Sequence, residues 1–598
     1  MSCSKNILQS MQNVFQTYSK MLQNSNGTKI ENIDKPVYWD LVVLTTFDDV
    51  QKACFEQQIN EKRASGQLPE VCIQVISDPP KEKLGCGGST LHVLQILLKQ
   101  YEDKLYDKRI LIIHSGGSSQ RLPSYSVIGK IFSPVPVKNL AVGNSIPQML
   151  DLKLAKYLEF AELLRPGVFV TCADDIETYS LNLKDSSGLQ SADVVALAHP
   201  SPIEIGEGHG VYVISSPQKS SSFARCSTVE DVQEVLQKPN METMRSKGAV
   251  IKSVAENGAV EEQIFSDSVF WLSHKVCQAL LMWYADNNPL DSELDAYAHF
   301  LPCFGTRMKD VKPENYKDYR SQMLPILSGF KMKVILLNES NFYHIGTMKE
   351  YLQHFCEMES FNKELGLINN TSNIDNPFKN GHRYESEMSL GKVKGVVIQS
   401  HFYNSCIVSA PEDCKVLLEY CQIGVPISVQ GDIILSNCII QECPTVKIFG
   451  CINLFDNLLY HTSPIHQNER KSYVTVAFDL DSDMKRKTHC YSELVLFGKP
   501  LSHLLDISGY TERNITSGVE HGGMVSLWTV KIFPKGNSAA ESFWLTHHLV
   551  SNSKQHGNRA QQIEISVCNE SLFYSMSDVV ELKDIDTLIK DRNDLNDL

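Results

Sequence analysis

No stretch of this chain approaches the roughly 18 consecutive apolar residues of a membrane span, and residues 1–30 lack the apolar core of a signal peptide. A basic surplus is missing too. The formal net charge is −14, which argues against a general binder of nucleic acid or of anionic membranes. Any anionic substrate must therefore be drawn in by a local cluster of cations. Cysteine is plentiful, with 17 residues, but no C-x-x-C pair occurs and the number is odd. That pattern fits reduced thiols in the cytoplasm better than a disulfide framework or a zinc site. The 598 residues, 42% hydrophobic and 21% charged, have the composition of a globular protein and the length for roughly two to four domains.

What is present is organised around residues 114–132, HSGGSSQRLPSYSVIGKIF. The apolar run Arg109 to Ile113 before it reads as a buried parallel strand. At the end of such a strand Gly116 and Gly117 let the backbone approach a ligand closely. Ser118, Ser119 and the exposed amides can then donate to phosphate oxygens, as a backbone nest does. Arg121 and Lys130 add two cations. The combination describes a site for a polyphosphate.

The rest of the N-terminal half alternates strands and helices. Ile7, Leu8, Met11, Val14, Phe15, Tyr18 and Leu22 recur at helical spacing and predict an amphipathic helix docked on the body. Strands are expected at 40–47, 71–76, 168–175, 194–198, 210–214, 269–272 and 333–337, with helices between them, including 147–164 and 274–286. Such alternation implies a largely parallel, doubly wound sheet. A second glycine loop, Gly85, Gly87, Gly88 and Ser89, follows the second strand and opens a helix, where an anion can meet the helix N-terminus. It is neither a P-loop, since no Lys follows Gly88, nor a dinucleotide fingerprint, since the third glycine is missing. Asp174 and Asp175 end another strand at the same kind of edge. A carboxylate there suits Mg²⁺, which takes few protein ligands beside phosphate and water; the competing reading is a helix cap. Alone, His199, His209 and His344 read as core or turn histidines.

Residues 369–392, polar and rich in Asn, Ser and Glu, read as a linker. Beyond them the pentads NSCIV, EYCQI and SNCII, at 404–408, 419–423 and 436–440, suggest short coils of a β-solenoid, with their cysteines stacked as a small apolar ladder. Residues 466–598 form a mixed region with a charged helical tail. The expected division is an N-terminal helix over 1–34, a catalytic domain over 35–368, the linker, the solenoid over 393–465 and the C-terminal region.

Together these motifs resemble sugar-nucleotide pyrophosphorylases, whose signature is G-G-x-G-x-R-L-x-x…P-K. The segments GCGGSTL, HSGGSSQRLP, GKIF, TCADDIE, ALAHPS, HGVYV, ELDAYAHFL, FYHIGT and SLWTVKIFP are similar to those of the fucose-1-phosphate guanylyltransferase (GDP-L-fucose pyrophosphorylase) family. The resemblance implies an α/β, nucleotidyltransferase-like domain followed by a left-handed β-helix. It implies synthesis of GDP-L-fucose and pyrophosphate from GTP and L-fucose 1-phosphate, as in fucose salvage, with Mg²⁺ or Mn²⁺ as cofactor. Arg121 and Lys130 would be catalytic, the two glycine loops would bind nucleotide, Lys238 and His199 the sugar phosphate, and Asp174 or Asp175 the metal. Two departures stand out. Ser118 or Ser119 replaces a signature glycine, with Lys130 after Gly129 instead of Pro. His344 stands where the wider family has a second metal-binding Asp, which leaves Asp267, Asp295 or the phosphates themselves to complete that shell, because neutral imidazole is a poor Mg²⁺ ligand. Another sugar-1-phosphate nucleotidyltransferase, a non-catalytic regulatory subunit, or a sugar kinase are the competing readings; the kinase lacks further motifs here.

Overall fold

The computed structural model describes residues 2–25, 37–80, 82–142, 145–215, 226–254, 260–310, 318–367, 394–403, 406, 408–411, 414–467, 469–508, 523–554, 563–565 and 573–595. The expected linker, 369–392, and parts of the first cysteine pentad lie outside the described residues. The protein is a mixed α/β chain with many strands. It divides into two units, one of residues 1–117, 149–343 and 364–366, the other of 118–148, 344–363 and 367–598.

The first unit is built on an 11-stranded sheet. Strands β1 (Leu41–Thr46), β2 (Cys72–Ser77), β3 (Arg109–His114) and β4 (Gly167–Cys172) run parallel in the order β2-β1-β3-β4. Every residue of β1 is buried, as a strand covered on both faces requires. Helices α1 (Ser2–Ser25), α2 (Asp49–Ala64) and α3 (Gly85–Tyr101) belong to this half. In α1, Ile7, Met11, Val14, Phe15, Tyr18 and Leu22 are all buried, so the amphipathic pattern marks a docked face; Leu8 lies at its margin.

Beyond β4 the sheet is mixed rather than parallel. Val194–Pro202 is the next long strand, and Val260–Ser266 and Phe270–Ser273 run antiparallel beside successive parts of it. They amount to one strand interrupted at Asp267–Val269. Met332–Leu336 is parallel to Val194–Pro202, while Thr228–Gln237 is antiparallel to Met332–Leu336. Apolar runs report burial but carry no strand direction, which is why the sequence suggested a uniform sheet. The helix expected over 147–164 is two, Met149–Lys156 and Leu158–Leu163. They part at Tyr157, whose hydroxyl meets Thr171 Oγ1 at 2.8 Å and Glu177 Oε2 at 3.1 Å.

In the second unit, residues 394–467 form three parallel ladders. One joins Lys394–Ile398, Lys415–Glu419, Ile433–Ser436 and the start of Leu458–Gln467. The second joins His401–Phe402, Gln422–Ile423 and Ile439–Ile440. The third joins Val408–Ser409, Ile427–Val429 and Ile452–Leu454. Cys406, Cys421 and Cys438 are buried at 4%, 0% and 0% exposure, which puts the cysteines of all three pentads inward. Leu458–Gln467 then pairs antiparallel with Arg470–Asp479, against which helix Ala539–Lys554 packs. Among the described residues no helix is long and apolar enough to cross a membrane.

Because Cys421 has no exposure, Cys421→Asp should put an unpaired charge in an apolar interior and cost about 3–5 kcal/mol. Denaturant unfolding measures this. An unchanged midpoint would contradict the inward placement.

Candidate active site

In the first unit, Thr46, Ser77, His114 and Cys172 end neighbouring parallel strands at one edge. The loops holding Gly116, Gly117, Asp174 and Asp78 therefore leave from that edge, the usual place for a ligand in an α/β sheet.

The glycine pair is locked to β1. A Cβ at Gly116 would stand 2.9 Å from the carbonyl carbon of Thr46 and the nitrogen of Phe47, so only glycine allows this approach. Gln51, in the first turn of α2, grips the next residue from both sides. Its side-chain amide donates to the Gly117 carbonyl at 3.0 Å, and its Oε1 accepts the Gly117 N–H at 3.3 Å. Asp48 caps α2 through the Gln51 N–H at 2.7 Å, which orients Gln51. Beneath the loop, Thr90 donates to the Cys86 carbonyl at 2.8 Å and meets His114 Nε2 at 2.9 Å. The hydroxyl's proton is thus committed, and His114 Nε2 carries the hydrogen between them. Burial lowers the His114 pKa to about 4, so the ring is neutral near pH 7.

The second glycine loop is the opening turn of α3 itself, and its glycines face protein. Cβ atoms at Gly85 and Gly87 would come within 2.7 and 2.8 Å of the Leu294 carbonyl oxygen. The Gly88 N–H donates to that same oxygen at 3.0 Å. Ser89 turns its hydroxyl to Asp78 at 2.8 Å; burial raises the Asp78 carboxyl above its ordinary range. This triplet lets α3 close on the segment carrying Leu294, a packing duty that a glycine pattern alone does not distinguish from ligand approach.

The two aspartates have different fates. Asp175 is 2% exposed, with Oδ1 paired to the Lys153 ammonium and Oδ2 accepting the Ser268 hydroxyl at 2.7 Å. Lys153 and Lys156, both without exposure, lie among Asp175, Glu177 and Tyr157. Burial opposes the charge of Lys153, but Asp175 outweighs it and holds the ammonium protonated above the usual lysine range. Asp174, one residue earlier, is half-buried at the strand edge. The other carboxylates considered for a metal are committed elsewhere. Asp267 lies 2.8 Å from His199 Nε2, and Asp295 Oδ1 accepts the N–H groups of Tyr297 and Ala298 at 2.7 and 3.0 Å. No group of three or more His, Cys, Asp or Glu is placed to hold a metal ion among the described residues. Asp174 fits a hard cation that takes one protein carboxylate and completes its shell with phosphate and water, the habit of Mg²⁺ rather than Ca²⁺ or Zn²⁺.

His199 is 1% exposed, and its Nδ1 meets Ser340 Oγ at 2.7 Å. With Asp267 on Nε2, both ring nitrogens are engaged inside the sheet. Lys238 is exposed, at a left-handed φ of 44°, its N–H donating to the His209 carbonyl at 3.0 Å.

The division between the units falls between Gly117 and Ser118. In the second unit Ser118 and Arg121 are exposed and Ser119 is half-buried with φ 48°. Lys130 is only 9% exposed, and its ammonium donates to the Gly346 carbonyl at 3.1 Å. His344 Nδ1 lies 3.2 Å from both oxygens of Glu350, which also accepts the Thr347 hydroxyl at 2.9 Å. Burial would raise Glu350, but the His344 hydrogen bond and charge, with Thr347, outweigh it and hold the carboxyl at about 2.

Gln51, Lys153, Lys156 and Glu350 were not singled out in the sequence. Lysines three apart within the apolar run LDLKLAKYL were the available signal for the buried pair. Gln51 and Glu350 carried none.

Residues 102–538 match the family described as the fucose pyrophosphorylase domain. The chain is 32% identical over 594 residues to the fucose-1-phosphate guanylyltransferase of Homo sapiens, covering 93% of this chain and 90% of that protein. It is 32% identical to the mouse protein of the same name, covering 87% and 88%. A bifunctional fucokinase/GDP-fucose pyrophosphorylase of Arabidopsis thaliana is 23% identical over 83% of this chain and 47% of its own length.

Asp175→Asn should remove the carboxylate nearest the buried Lys153 ammonium and destabilise the protein by about 3–5 kcal/mol, whereas Asp174→Asn, at a half-buried edge position, should cost less. Thermal melts of both variants test this. Equal melting points would contradict the assignment of the two carboxylates.

Proposed function

The chain belongs to the fucose pyrophosphorylase family, and from that premise we propose that it is a fucose-1-phosphate guanylyltransferase, joining GTP and L-fucose 1-phosphate into GDP-L-fucose with release of pyrophosphate. The observation that carries this reading is 32% identity sustained over 93% of the chain; within it we read 35–368 as a nucleotidyltransferase-like domain. The three parallel ladders are coils of a β-solenoid of the left-handed β-helix kind over 393–465. None of the 15 cysteines from Cys54 to Cys490 forms a disulfide, which suits the cytoplasm, where a salvage enzyme meets its substrates.

In the reaction, a phosphate oxygen of fucose 1-phosphate attacks the α-phosphorus of GTP as the bond to the β-phosphate oxygen breaks. Both reactants are anionic, so the protein's work is positioning and charge neutralisation. The Gly116 amide and the Ser118 and Ser119 hydroxyls hold phosphate oxygens, on a loop that Gln51 fixes at Gly117. Gly85, Gly87, Gly88 and Ser89 shape the nucleotide side through the packing of α3. Arg121 meets the charge growing on the departing pyrophosphate. Lys130, desolvated and therefore a stronger electrostatic partner, bridges the α-phosphate and the attacking phosphate. Lys238 binds the sugar phosphate, while His199 pairs with Asp267. Asp174 is the carboxylate for Mg²⁺, or Mn²⁺ in its place, which when bound offsets phosphate charge; Asp175 serves Lys153.

GTP with L-fucose 1-phosphate should react at least about tenfold more efficiently than ATP or UTP with the same sugar, since a site built around one base edge leaves its hydrogen-bonding groups unpaired with another. Measured kcat/KM values favouring ATP or UTP would leave only the nucleotidyltransferase class. Arg121→Ala and Lys130→Ala should each lower kcat by roughly a hundredfold or more with the fold intact. Wild-type turnover in either variant removes that residue from the mechanism. Asp174→Asn should raise the Mg²⁺ concentration needed for half-maximal rate; an unchanged requirement contradicts its role.

A further inference from the structure

We propose that Glu419, in strand Lys415–Glu419 of the second unit, is a positioning residue for the loop that carries Arg121 and Lys130; this rests on the reading of that loop as catalytic. Its Oε2 accepts the Tyr125 hydroxyl at 2.6 Å and the Tyr351 hydroxyl at 2.8 Å. The two hydroxyl oxygens lie 3.3 Å apart, and the rings meet edge-on with centroids 5.6 Å apart. All three residues have no exposure.

Each tyrosine is tied to a cation of the loop. Tyr125 lies between Arg121 and Lys130 in the chain, and its carbonyl accepts the N–H of Gly129, the residue before Lys130, at 2.8 Å. Tyr351 belongs to helix Met348–Cys356, whose first amide donates to the Arg121 carbonyl at 3.0 Å. Just before that helix, the Gly346 carbonyl takes the Lys130 ammonium at 3.1 Å. One carboxylate thus fixes two segments between which both cations are suspended.

A buried carboxylate is a poor device for stability, since apolar side chains of similar volume often do as well or better. It is a good device for position, because charge-assisted O–H···O⁻ bonds are short and directional. Arg592, whose guanidinium lies 4.0 Å from the Tyr420 ring centroid, brings a compensating positive charge. The residues named in this cluster come from the loop, the helix, the parallel ladders and the C-terminal helix Ile585–Asp594. The ladder region therefore acts in catalysis through the loop it anchors.

The test is steady-state kinetics of Tyr125→Phe, Tyr351→Phe, the double variant, Glu419→Gln and Glu419→Leu, with melting temperatures alongside. The cations act on charge that develops in the transition state, so misplacing them lowers kcat more than it raises KM. The double tyrosine variant should lose at least about tenfold in kcat while KM for GTP moves less than about threefold. Glu419→Leu should behave alike, and Glu419→Gln, whose amide oxygen still accepts both hydroxyls, should keep most of the activity. The inference is overturned if the double tyrosine variant retains wild-type kcat, or if the Gln and Leu variants lose activity together and only in step with folded protein. Lys130→Ala separates the two levels. Its wild-type turnover would remove the catalytic reading of the loop, whereas its loss beside active tyrosine variants removes the inference about Glu419 alone.

Discussion

The backbone contact between Gly116 and the end of β1 is the constraint on which the loop after β3 depends. Thr46 and Phe47 leave no room for a Cβ at 116, so the loop after β3 lies directly on the neighbouring strand. Gln51 then takes both the N–H and the carbonyl of Gly117, which converts a loop into a rigid support. A phosphate-binding backbone gains most when its amides are already ordered, because no reorganisation is then needed as charge develops. The parallel register of β1, β2, β3 and β4 brings the Asp174 segment out at the same edge.

Buried charge is the second theme. Lys153, Asp175 and Glu177 lie within the protein at 0–2% exposure, an arrangement that costs desolvation and survives only through mutual pairing, while burial and the neighbouring Lys153 push Lys156 well below the usual lysine range. It explains why two adjacent aspartates have unlike surroundings. Asp175 is buried against Lys153 and Ser268, and Asp174 is half-buried at the strand edge. In the second unit the His344–Glu350 pair holds its carboxylate ionised at about 2.

Much of the fold was legible because local patterns sufficed. The buried strands around 41–46, 109–114 and 210–214 are continuous apolar runs, and the heptad-like face of α1 is read directly from Ile7 to Leu22. The inward cysteines of the ladder region followed from repeated pentads. Strand direction was not legible, since Phe270–Ser273 has the same apolar character whichever way it runs. The glycines at 85, 87 and 88 match ligand loops and tight packing equally, and only the Leu294 backbone beside them separates the two. His199 was grouped with the sugar phosphate on its motif alone, with no sign in the sequence that Ser340 and Asp267 take both ring nitrogens. Glu419 lies nearly three hundred positions from Tyr125, |i−j| = 294, and no local pattern spans that distance.

The central claim is transfer of the GMP moiety. GTP labelled at the α-phosphorus should be incubated with L-fucose 1-phosphate and Mg²⁺, with a parallel sample labelled at the γ-phosphorus. The account predicts that the α-label moves into GDP-L-fucose and the γ-label into pyrophosphate, in equal amounts. A γ-label found on the sugar, or an α-label left in free GDP, would contradict it.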